Sequence, residues 1–185
     1  MEATLQHDRC TQNDYVRLFA DSAEPLGWLC YTLTADPALS EKVLAAAFEQ
    51  SLKGADRVFR DWMVSWARRI IIQSCISLIQ PTGDSMEDCM CLHHKQDKTE
   101  IADQVELALS QPSDVLQQRL LNLDPLTRFV FVLRAIEGYS RRDTALLLGI
   151  GDRTCESMFI RALECLQPRL YVLNPGSTGA EFVAI

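Results

Sequence analysis

Apolar residues recur along most of this chain at intervals of three and four, the repeat of a helix with one face in a core, and rarely at the two-residue repeat of a strand. The clearest run is Leu126, Phe129, Val130 and Leu133, on a helix that Asp124 caps and Pro125 opens at a position where a missing N–H costs nothing. Gly138 can take the positive φ that closes such a helix, and Ser140 with Asp143 three residues on forms a capping-box-like start for a short helix over 141–148. Gly149 supplies a sharp turn and Asp152 or Thr154 can cap a third helix. On that helix Cys155, Phe159, Ala162 and Leu166 face inward, opposite Arg153, Ser157, Ile160, Arg161 and Glu164. These starts and stops describe a helix-turn-helix, whose exposed face enters a major groove with arginines on the flanking phosphates. The spacing alone also fits a three-helix bundle that binds nothing.

Upstream, Val43, Leu44, Ala47 and Leu52 form one helical stripe, and Trp62, Trp66, Ile70 and Ile71 form another, so both tryptophans are expected in a core. The two periodic regions are separated by a stretch that Pro81 and Gly83 open and that Gln111, Pro112 and Ser113 close. Within it Ile101, Val105 and Leu109, with Leu107 beside them, fit one short helix. The C-terminal NPGSTGAEFVAI reads as a loose tail.

Charge sharpens this division. The net charge of −7 is concentrated in residues 81–118, which carry two basic and eight acidic side chains, whereas 119–170 carry eight basic, all arginine, and six acidic. An acidic linker therefore precedes a weakly positive helix-turn-helix whose cations are the better phosphate and guanine ligands. At 185 residues and 48% hydrophobic content, the chain suits one domain or two small ones.

Seven cysteines without an even frame fit reduced thiols in a cytoplasmic protein. No apolar export segment or membrane-length run is present, so no membrane partner is expected. Cys89, Cys91, His93 and His94 place four soft donors within six residues, a weak candidate for zinc or copper(I) because the usual two-residue loop between sulfurs is missing. No metal and no cofactor is expected. Phosphate-loop, nucleophile-elbow and zinc-protease motifs are absent, and the three histidines lie in a terminus and a linker, so catalysis is not expected.

The segment LDPLTRFVFVLRAIEGYS, followed by Ala145, LLGI and the T-x-x-S-x-x-x-RAL pattern at Thr154, Ser157, Arg161, Ala162 and Leu163, resembles region 4 of the extracytoplasmic-function sigma factors. LTADPALSEKVLAAAFEQSL, with Asp36, Glu41 and Phe48, and FRDWMVSWARRIIIQSCISLI, with Trp62 and Ala67, are similar to region 2 of the same family. The chain departs from the family pattern at Lys42 and Ala45 on the clamp-binding helix, at Gln73 and Ile76, and at Glu156, which is expected to oppose a phosphate backbone.

The resemblance implies an all-α protein with a region 2-like helical domain over 12–80, an acidic linker over 81–112, a region 4-like helix-turn-helix domain over 113–170 and a flexible tail over 171–185. It implies a non-enzymatic transcription initiation factor that binds core RNA polymerase and promoter DNA, with an anti-sigma factor as a further partner. Arg141, Arg142, Arg153, Thr154, Ser157, Arg161, Arg68 and Arg69 are its expected DNA-binding residues, and Glu41, Lys42, Ala45 and Glu49 its polymerase-binding residues. The alternatives are a diverged sigma-like interaction regulator without promoter opening and a stand-alone helix-turn-helix regulator.

Overall fold

A computed structural model describes residues 9–79 and 98–166, together with the two-residue strands Tyr171–Val172 and Val183–Ala184. The amino-terminal group holds α1 (Gln12–Asp21), α2 (Ala23–Thr34), α3 (Pro37–Lys53) and α4 (Met63–Ile79), with two 3-10 turns, Ala55–Arg57 and Arg60–Trp62, between the last two. The carboxy-terminal group holds α5 (Lys98–Leu109), α6 (Ser113–Leu121), α7 (Pro125–Phe131), α8 (Arg141–Leu148) and α9 (Asp152–Leu166). The all-α expectation is met, with one addition. The short strands pair antiparallel, Tyr171 opposite Ala184, inside the stretch expected to be a flexible tail.

Local chemistry sets most of the boundaries. Thr11 caps α1 reciprocally: its hydroxyl accepts from the Asp14 amide at 3.3 Å and its own amide donates to the Asp14 carboxylate at 2.8 Å. Those bonds, with Arg60 beside them, hold the Asp14 carboxyl below its ordinary range. Asp36 caps α3 through the Leu39 amide at 3.0 Å, with Pro37 at the first helical position. The preceding Ala35 lies in the left-handed region at φ 57°, so the α2–α3 corner carries a strained non-glycine residue.

Further on, Asp124 accepts from the Thr127 amide at 3.0 Å, and Ser140 caps α8 through the Asp143 amide at 3.1 Å, its hydroxyl donating in turn to the Asp143 carboxylate. Gly138 and Gly149 take positive φ where the sequence asks for it. The sequence did not announce a π-helix, Val132–Ile136, continuing α7. The Glu137 amide donates to the Val132 carbonyl five residues back, so one extra residue is accommodated before the turn at Gly138.

One apolar cluster runs through both groups, from Leu26, Leu29 and Leu33 on α2 and Ile70 to Cys75 on α4, through Phe129 to Leu133, to Phe159 and Leu163 on α9. A smaller cluster around Tyr15, Leu18, Val58 and Ala67 seats α1. Ala108 on α5 is buried and Ile101 and Val105 pack partly into the main core, so the predicted helix before Pro112 exists and lies against α9, with Leu107 and Leu109 exposed. The shared core changes α7. Its pattern predicts one buried face, yet every residue from Thr127 to Leu133 is buried, because α2 covers the side left for solvent.

Candidate nucleic-acid interface

The helix-turn-helix is built as its sequence predicts. Cys155, Phe159, Ala162 and Leu166 are buried, while Arg153 and Arg161 are exposed and Thr154 and Ser157 lie half-buried at the edge of the same α9 face. Burial pushes the Cys155 thiol up, and its Sγ donates to the Arg141 carbonyl at 3.7 Å, seating the start of α8 on α9. Arg142, Arg153 and Arg161 form no ion pair among the described residues, so their guanidinium groups are available to phosphate or base edges. Arg141 is different: it lies 3.7 Å from Asp152 and 4.0 Å from Glu156.

Glu156 is not an unpaired acid facing the backbone, as its place in the sequence suggests. Its carboxylate accepts from Arg134 Nη1 at 2.9 Å, and the same guanidinium sits 3.9 Å from the centroid of the Phe159 ring. Phe159 in turn stacks on Phe131, with ring centroids 6.1 Å apart. The π-helix delivers Arg134 to this position, so the acid on the groove-facing helix is neutralised from behind.

The amino-terminal group carries a second surface that sequence reasoning missed. Trp62 is 70% exposed and Trp66 39% exposed, so the two tryptophans expected in a core stand outside it. Ala67, Ile70, Ile71 and Cys75 already fill the inward face of α4, so Trp66 stands outside it, as does Trp62 on the 3-10 turn that precedes the helix. There they line a groove of about 700 Å³ together with Phe59, Lys53, Arg57 and Arg69. Lys53, Arg57 and Arg69 make no ion pair among the described residues. Aromatic planes bordered by unpaired cations suit unstacked bases on a single strand. A cation following the second tryptophan by three residues, at Arg69, was the available signal.

The expected basic pair on α4 divides. Arg69 lines the groove, whereas Arg68 forms a bidentate pair with Glu137 from the carboxy-terminal group, Nε to Oε2 at 2.9 Å and Nη2 to Oε1, and this carboxylate raises the Arg68 pKa. On α3, Glu41, Lys42, Ala45 and Glu49 are all exposed and Glu41, Ala45 and Glu49 follow one helical ridge, while Val43 is buried and Leu44 half-buried. The Cys89, Cys91, His93 and His94 cluster lies outside the described residues. Among the described residues no group of three or more metal-type side chains converges, and no helix is long and apolar enough to cross a membrane.

A helix-turn-helix preceded by a second helical group defines a class of two-part DNA-reading proteins. Residues 113–166 match the family described as Sigma-70, region 4. The chain is also similar to the ECF RNA polymerase sigma factor SigM of Mycobacterium tuberculosis, from strains H37Rv and Erdman alike, at 32% identity over 148 residues, spanning 77% of this chain and 67% of each relative. It belongs to the extracytoplasmic-function sigma factors of the sigma-70 family.

Proposed function

We propose that this chain binds core RNA polymerase and promoter DNA as a transcription initiation factor, and that its two nucleic-acid faces divide the work. In this reading α9 meets duplex DNA through Arg153, Thr154, Ser157 and Arg161, with Arg141 and Arg142 on neighbouring phosphates. The Trp62–Trp66 groove takes unpaired bases of the opened strand, with Arg69 on its backbone and Arg68 beside it. The ridge of Glu41, Lys42, Ala45 and Glu49 is the polymerase contact. The corresponding division of the chain is a helical domain over 12–80, a linker over 81–112, a helix-turn-helix domain over 113–170 and a tail over 171–185. An anti-sigma factor as competing partner and a cytoplasmic location complete the reading, supported by family membership.

The observation that carries it is the pairing of exposed indoles with three cations that have no ion pair among the described residues, in one groove, on the same chain as a helix-turn-helix whose Arg142, Arg153 and Arg161 likewise have none. Core polymerase mixed with this chain should select promoters from a library and transcribe them. Co-purification without transcription from any promoter would favour an interaction protein, and duplex binding without polymerase a stand-alone regulator.

A further inference from the structure

The seam between the two helical groups masks one arginine from each side. Arg68 of α4 is held by Glu137, whose side chain is nearly buried. Arg128 of α7, only 3% exposed, donates through Nη2 to the Leu33 carbonyl at the C-terminal end of α2, at 3.3 Å, and through Nη1 to Leu121 at 3.4 Å. Gln117 completes the polar contacts, donating to the Thr32 hydroxyl at 2.9 Å and to the Trp28 carbonyl at 3.5 Å.

These contacts are unequal. Arg68 has a carboxylate partner in contact, whereas Arg128 hydrogen-bonds only neutral carbonyls, its Nε has no partner among the described residues, and burial lowers its pKa by more than the nearby Asp124 carboxylate raises it. A guanidinium removed from water with no carboxylate in ion-pair contact opposes closure, and separation would restore its hydration. Apolar packing and the Arg68–Glu137 pair work against that penalty, which lowers the net stability of the closed arrangement. The pair is also reachable. An open cleft of about 300 Å³, bordered by Ser65, Arg68, Ile136, Glu137 and Tyr139, leads to it from solvent. An anion entering this cleft from solvent has access to Arg68.

We propose that this seam is a latch: Glu137 holds the two nucleic-acid faces together in the unliganded chain, and a polyanion that takes Arg68 from Glu137 releases them. The release step rests on the reading of α4 as a nucleic-acid face; the closure rests on the seam alone. A ligand shifts such an equilibrium only by binding one state better, and the strand phosphate supplies that difference because it and Glu137 compete for one guanidinium.

The test uses the full chain in wild-type, Glu137→Gln and Arg128→Met forms, with circular dichroism to establish that each is folded. Small-angle scattering reads separation of the halves, and fluorescence anisotropy reads affinity for a 15-nucleotide single-stranded DNA. Glu137→Gln should expand the chain and tighten oligonucleotide binding, by up to about tenfold if one wild-type molecule in ten is open. Arg128→Met, which removes the buried charge without touching the groove, should have the opposite sign on both readouts, and oligonucleotide should expand the wild type. Equal radii for all three variants, with or without oligonucleotide, overturn the latch. Tighter binding by Glu137→Gln without expansion does so too, since it would reflect only the loss of a repelling charge. Expansion of Glu137→Gln with no oligonucleotide binding by any variant would retain the closure and overturn both the polyanion release and the reading of the groove.

Discussion

On the function proposed above, α9 and the Trp62–Trp66 groove address different recognition problems with different side chains. On α9 the outward face carries arginines and hydroxyls with no aromatic ring exposed, and of its acids Glu156, beside Ser157, is paired with Arg134 while Glu164 lies further along the helix. At the start of α4, Trp66 and Trp62 of the preceding 3-10 turn present two indoles over a groove with Lys53, Arg57 and Arg69 around it. Duplex DNA presents only base edges within its grooves, so hydrogen-bonding groups on a narrow helix can read it; an unpaired strand presents whole base planes, which need a flat apolar platform. The difference teaches that in a chain of net charge −7, nucleic-acid binding depends on where acids are paired off and where cations are left free, rather than on overall charge.

Removing the platform should have the largest effect. Trp62→Ala with Trp66→Ala should cost about 1–3 kcal/mol for each base that stacks, measured by anisotropy with a single-stranded oligonucleotide, and leave duplex binding intact. An equal loss on duplex would collapse the two faces into one. Arg161→Ala should do the reverse, weakening duplex binding by about 1–3 kcal/mol if the guanidinium reaches a base edge, with single-strand affinity unchanged. A smaller, sequence-independent loss with a shallower salt dependence would place that arginine on phosphate.

Glu156→Lys sharpens the comparison, because the sequence pattern alone predicts tighter duplex binding from removing a repelling acid. The Arg134 contact reverses that expectation. Placing two cations together behind α9 should lower thermal stability by about 1–2 kcal/mol and loosen the recognition helix, and an unchanged melting temperature with tighter binding would show that the pair contributes nothing. The smallest effect is read at two thiols on the hidden sides of these helices. Cys155 lies under α9 and Cys75 under α4, and burial pushes the Cys75 thiol up to about 12 and raises the Cys155 thiol as well. At pH 8 both should resist a thiol reagent that labels the exposed Cys165 rapidly. Arg134→Ala, which removes a cation that lowers the Cys155 pKa, should slow labelling at Cys155 further and leave Cys75 unchanged, read by mass spectrometry of the modified peptides.

What the sequence made legible was mostly local. Asp124, Ser140 with Asp143, Gly138 and Gly149 set helix ends through atoms three to five residues away, and each behaves as its chemistry requires. The α9 stripe was equally readable, because both its faces are determined within one small bundle. Features that depend on distant partners were hidden. Arg68 finds Glu137 sixty-nine residues along the chain, and Arg128 finds Leu33 ninety-five residues back. Without α2 in view, α7 reads as amphipathic. Trp62 and Trp66 show the opposite error: large apolar side chains at helical spacing suggest a core, but the inward face of α4 was already filled by smaller residues. The π-helix has no strong sequence code, and its consequence, the delivery of Arg134 to Phe159 and Glu156, was therefore invisible too.

The exposed indoles give the chain an optical property. Of its three tryptophans, Trp28 is half-buried at the seam, while Trp62 and Trp66 stand on the groove. Indole emission is quenched by stacked nucleobases and shifts to shorter wavelength when water leaves. Unpaired DNA should therefore dim and blue-shift the intrinsic fluorescence, whereas duplex held at α9 should leave it nearly unchanged. One unlabelled titration would tell which face had been occupied, and a stopped-flow trace of the same signal would time the arrival of the strand.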